Sequence, residues 1–179
     1  NEEVKKENQN QAKKSEAVTL ILDTEYNEQS GTPVVDENGK TAHVVYYYTG
    51  IADTTFSTPD FLKKETFIGN QNGQPQGIRA ILVKRNEAVM KEYLKLKEMW
   101  KNEEISKEQF DSLAKLNAAD SLKTRPVVVI KPGPNTTYEG LVNALDEMQI
   151  NQISRYSIET PTHTDTILLN EYNRRNPAK

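Results

Sequence analysis

The chain has 179 residues, enough for one domain of ordinary size with a substantial core. Charged residues make up 27% and apolar ones 35%, so some segments are expected to lie outside that core. The formal net charge is -3, with no dense Lys/Arg block, which argues against a nucleic-acid partner; the absence of cysteine excludes disulfides, thiolate catalysis and Cys-based metal sites.

No apolar run reaches the ~18 residues a membrane helix requires, and no signal peptide opens the chain. The sequence starts at Asn1 without methionine, which reads as a piece of something longer. Residues 1–14 are almost wholly polar and of mixed charge. They bury too little to offset the entropy of ordering, so a flexible linker is expected.

Ala17 to Leu22 reads as a first strand, with Val18, Leu20 and Leu22 on one face. Asn38-Gly39 suits a type I′ turn, and His43 to Tyr48 is a second strand rich in β-formers. The two form an antiparallel hairpin with a long connection, to which residues 32–35 add a rung at an edge because of Pro33. Core packing is favoured over ligand binding for Tyr46, Tyr47 and Tyr48.

Residues 50–76 read as loop. From Gly77 to Lys101 the apolar spacing predicts one helix of about 37 Å at 1.5 Å per residue, whose far end projects from the domain. Ser106 and Gln109 form a capping box for a second helix. The pair is expected to fold as a helical hairpin over about 88–122, with Leu96, Trp100, Phe110 and Leu113 facing one another.

Val127 to Ile130 is a β-branched run that suits a strand covered on both faces. Lys131-Pro132-Gly133-Pro134 interrupts it, and Thr136 with Glu139 reads as the cap of a helix bearing Tyr138, Leu141, Val142, Leu145 and Met148 on one stripe. Residues 155–159 alternate as a half-exposed strand, completing a βαβ-type unit. Ile167 to Tyr172 fits a short strand or a helical turn equally well, and 173–179 is expected to be a disordered tail.

The residues offer no chemistry of their own. His43 and His163 lie far apart without a metal-ligand spacing, no nucleophile elbow is present, and Asp146 and Glu147 face different directions on a helix. No catalytic residue, cofactor or metal is expected. Residues 15–172 are expected to form one domain of mixed strands and helices, with the helical hairpin as an insertion.

The segments SEAVTLIL, HVVYYYTG, QGIRAILVKRNE and RPVVVIKPGPNTTYEGLVNALDEMQINQISRYSIET, in that order, resemble the periplasmic domain of the ExbD/TolR family of biopolymer-transport proteins, in its Bacteroidetes-type form. They cover about a third of the chain, in four separate segments, which makes this a multi-segment match. The resemblance implies the fold class α+β, a small mixed sheet with helices packed on one face, here extended by the helical hairpin insertion. It also implies a single-pass inner-membrane protein with this domain in the periplasm, anchored by a membrane helix upstream of this sequence whose proton-carrying aspartate has no counterpart in it. It implies an ExbB-like ring, a TonB-like protein and a second copy of the chain as partners, with peptidoglycan binding of the TolR type as the alternative. The connection at 23–41 and the extended helical region 77–122 depart from the family pattern. The strands at 17–22 and 42–48 are expected to offer an edge to a partner peptide or second protomer, with the contact made through Val18, Leu20 and Leu22.

Overall fold

The computed structural model describes residues 16–27, 29–120, 122–123 and 126–177. The linker expected at 1–14 lies outside them. The architecture is a mixed α+β fold built on a five-stranded sheet in the order β3-β2-β1-β6-β7. Its members are β1 (Ala17–Thr24), β2 (His43–Thr49), β3 (Lys63–Thr66), β6 (Val127–Pro132) and β7 (Tyr156–Ile158). β1 runs antiparallel to β2 and parallel to β6, and β7 is parallel to β6.

The connection between β1 and β2 is pinned by isolated bridges at Tyr26–Pro33 and Val35–Thr41. Its tip is held by Asp36, which accepts from the amides of Asn38 and Lys40. Residues 50–76 are more structured than their polarity suggested. They contain β3 and a two-stranded ribbon, β4 (Gly69–Gln71) with β5 (Gln74–Gln76), around an Asn72-Gly73 turn with φ of 53° and 75°. Both values are positive, as an Asn-Gly hairpin turn requires.

Each face of the sheet carries its own core, because side chains alternate along β1 and β2. Val18, Leu20, Leu22, Val45, Tyr47, Val128 and Ile130 meet helices α1 (Ile78–Arg85) and α4 (Tyr138–Ile150) through Ile78, Leu82, Ala144 and Met148. Ile21, Val44, Tyr46 and Tyr48 meet Leu62 and Leu168 on the opposite face. Leu168 belongs to α5 (His163–Arg175), opened by a Thr162/Asp165 capping box. Helices therefore cover both faces, which corrects the one-face arrangement. The helix also resolves the ambiguity at 167–172, and it runs through Arg175 into the segment expected to be a disordered tail.

The long helix expected from Gly77 is two. Asn86, buried with φ −113°, ends α1, and α2 (Glu87–Lys101) starts after it. The Asn86 side chain donates to the carbonyls of Asn151 (2.8 Å) and Gln152 (3.1 Å), so the break is held by the core. α2 and α3 (Lys107–Ala119) form the expected hairpin, closed by Leu96, Phe110 and Ala114 with Trp100 stacked on Phe110 at 5.2 Å. Leu113 is not among the facing residues; Ala114 holds that place and Leu113 turns to solvent.

α4 is capped by Thr137, whose hydroxyl accepts from the Gly140 amide. The expected cap, Thr136, spends its hydroxyl on the Leu22 carbonyl at 2.9 Å. The helix starts one residue later than the capping pattern implied, and Tyr138 falls on its exposed side.

Candidate docking edge

The expected contact at Val18, Leu20 and Leu22 does not survive the topology. β1 is the central strand, bonded to β2 on one side and β6 on the other, so it has no open edge, and β2 is likewise enclosed between β1 and β3. The three side chains are essentially wholly buried in the α1/α4 core. Sequence alone could not reveal this, because a core strand and an edge strand share the same alternation.

The sheet's actual edges are β3 and β7. β3 reads Lys-Lys-Glu-Thr and is guarded by charge, with Lys64 paired to Glu25. Charged side chains on an edge discourage pairing with another strand. β7 reads Tyr-Ser-Ile, is exposed throughout, and has no charge within it. Tyr156 and Ile158 remain 46% and 51% exposed.

The ladder fixes which backbone groups are free. Val128 N–H donates to the Arg155 carbonyl at 3.0 Å, and Glu159 N–H donates to the Ile130 carbonyl at 2.8 Å. In a parallel ladder the residues facing the neighbour alternate, so Arg155, Ser157 and Glu159 face β6. The N–H and C=O groups of Tyr156 and Ile158 point outward, which is the geometry a further strand uses.

A buried polar network positions β7. Arg79 grips Glu147 in a two-pronged contact, Nη2 to Oε1 at 2.7 Å and Nε to Oε2 at 3.1 Å. Hydrogen bonding to Glu147 raises the Arg79 guanidinium above its ordinary value. Asn151, with no exposure, donates to the Glu147 carbonyl at 2.7 Å and to its carboxylate at 3.0 Å. Together with the bonds from Asn86, these contacts lock residues 151–152, where Gln152 takes φ 54°, and launch the chain toward β7. A two-pronged, largely desolvated pair of this kind has strong directional preference.

Among the described residues no group of three or more His, Asp or Glu side chains is placed to hold a metal ion. The two histidines belong to opposite faces: His43 lies by Gly140 and Glu139 of α4, and His163 opens α5. The cleft beside Phe56, Phe61 and Tyr172 holds about 30 Å³, room for a water or two. No described helix is long and apolar enough to cross a membrane.

No family model, no curated protein and no solved structure matches the chain.

Proposed function

We propose that this chain is the periplasmic domain of a proton-motive-force-driven energy-transduction subunit of the ExbB–ExbD–TonB type. It acts through protein–protein contacts and carries no catalytic step or cofactor. The finer fold assignment, an ExbD/TolR-like periplasmic domain enlarged by a helical hairpin, is part of the same proposal. Its partners in this reading are an ExbB-like inner-membrane ring, a TonB-like protein and a second copy of the chain, with the membrane anchor preceding Asn1.

The observation that carries the reading is the open β7 edge, because it lies in RYSI, one of the segments on which the resemblance rests. An extended linker peptide adding there gains backbone hydrogen bonds from Tyr156 and Ile158 and apolar contact with their side chains. A domain held by such a strand can be pulled without enclosing a ligand.

The test is an NMR titration with a proline-poor segment of a TonB-type linker. The amides of Tyr156 and Ile158 should shift and gain protection while those of β3 stay in place. Unchanged β7 amides at saturating peptide would remove the basis for the proposal. Retention on purified cell-wall sacculi without any peptide response would favour a TolR-like peptidoglycan-binding domain instead.

A further inference from the structure

Side chains along β7 divide by polarity between the two faces of the sheet. Tyr156 and Ile158 stand in register with Val128 and Ile130, which lie in the α1/α4 core, so their side chains fall on the α4 face. Arg155, Ser157 and Glu159 fall on the other face, where the Ser157 hydroxyl donates to Glu159 Oε1 at 2.9 Å. Arg155 is half-buried and Glu159 exposed, and neither enters an ion pair among the described residues. Four residues separate them, roughly 13 Å along an extended strand.

The α4 face continues the apolar strip beyond the strand. Glu147 of that helix reaches Arg79 of α1, and Glu139 reaches His43 of β2, so the flank of α4 away from both looks toward the β7 side of the sheet. That flank carries Tyr138, Leu141 and Leu145 at helical spacing, with Tyr138 84% exposed and both leucines half-buried. An added strand would meet apolar side chains on this face and two unpaired charges of opposite sign on the other.

We propose, resting on strand addition at β7, that this edge selects an antiparallel peptide by the order of its charges. Read from its N-terminus, the peptide carries a basic residue, an apolar one, a small polar one, a second apolar one and an acid. The outward N–H and C=O groups of Tyr156 and Ile158 form hydrogen-bonded pairs with the two apolar residues. Arg155, Ser157 and Glu159 then occupy the non-hydrogen-bonded pairs, in which facing side chains lie closer. The acid falls opposite Arg155 and the base opposite Glu159, and opposite charges in facing positions attract. The reversed order sets like against like at both ends. β7 of a second copy shows the same order of side chains, but a three-residue strand supplies only a small part of the ~800 Å² a side that a stable interface between folded domains buries. A flexible peptide can follow the edge and close on the flank of α4.

Two capped peptides of identical composition, TKVTVET and TEVTVKT, test this by NMR titration of the full chain. Both should shift the amides of Tyr156 and Ile158. TKVTVET should bind about fivefold tighter or more at low salt, with the gap closing as salt screens the charges. Exchanging the charges in the protein, Arg155→Glu with Glu159→Lys, should invert the preference. Equal affinity of the two peptides, or tighter binding of TEVTVKT, would overturn the proposal and leave strand addition at β7 standing. No amide shift with either peptide would remove both. Exclusion of both peptides by a concentration-dependent dimer that Ile158→Lys dissociates would also overturn the proposal, giving the edge to a second copy.

Discussion

Lys131 Nζ lies 2.7 Å from Asp165 Oδ2, joining β6 to the first turn of α5, and Asp165 has no exposed surface at all. Tyr48 donates to the other carboxylate oxygen at 3.0 Å, and the amide and hydroxyl of Thr162 donate to Oδ2 at 2.7 and 2.9 Å. One carboxylate thus ties together two strands and the helix that covers the second face of the sheet. Removing Lys131 while keeping the carboxylate should be costly, because it strands a buried charge. Lys131→Met is expected to destabilise the fold by about 3–5 kcal/mol. The double variant Lys131→Met/Asp165→Leu should recover a large part of that loss. Urea unfolding of the two variants measures both.

The same pair sets a pH dependence. Burial pushes the Asp165 carboxyl up, but hydrogen bonds from Lys131 and Thr162 outweigh it and hold the carboxyl below its ordinary value. Burial likewise works against the Lys131 ammonium, and its bond to Asp165 with the neighbouring Tyr48 leaves it raised. A lowered acid contributes stability above its unfolded value, near 3.8, that is lost as pH falls through its folded value. A raised lysine contributes below its unfolded value, near 10.5, and loses that contribution as pH rises through its folded value. Stability should therefore hold across neutral pH and fall at both extremes. Thermal melts of wild type and Asp165→Asn should converge as the acid limb is entered.

Leu20 sits at the centre of the α1/α4 core with no exposure. Leu20→Ala should cost about 2–5 kcal/mol, the price of lost burial together with a cavity. Binding of a strand-forming peptide by the fraction still folded should be unchanged, since β1 has no open edge. Urea unfolding followed by peptide titration in native buffer separates the two effects.

Proline placed along β7 distinguishes its two sides. Ser157 faces β6 in the ladder, so Ser157→Pro should remove a sheet bond and destabilise by about 1–3 kcal/mol. The Ile158 amide points outward, so Ile158→Pro should cost less than its neighbour while abolishing strand addition. Equal effects of the two variants on stability, read by urea unfolding, would contradict the register derived from Val128 and Glu159.

Local chemistry made several elements legible in the sequence. Ser106 and Gln109 form their capping box because both partners lie within one turn. The alternation of Tyr46, Tyr47 and Tyr48 sent the outer two to one core and the middle one to the other. Polar edge elements were less legible. β3, β4 and β5 carry little apolar signal, and their pairing depends on neighbours that arrive from elsewhere in the chain.

The residue order by itself determined a strand over Ala17 to Leu22, the βαβ character of 127–158 and the helical hairpin, since each follows from periodicity, turn residues and caps within a short window. Only the tertiary structure decided that this first strand is central, that Asn86 splits one long helix into two, and that α5 closes the second face. Those outcomes depend on groups far apart in the chain: β6 pairing along β1, the Asn151 and Gln152 carbonyls reaching Asn86, and Lys131 meeting Asp165. A side chain's preference for burial is local, whereas the partner that buries it is chosen by the whole fold.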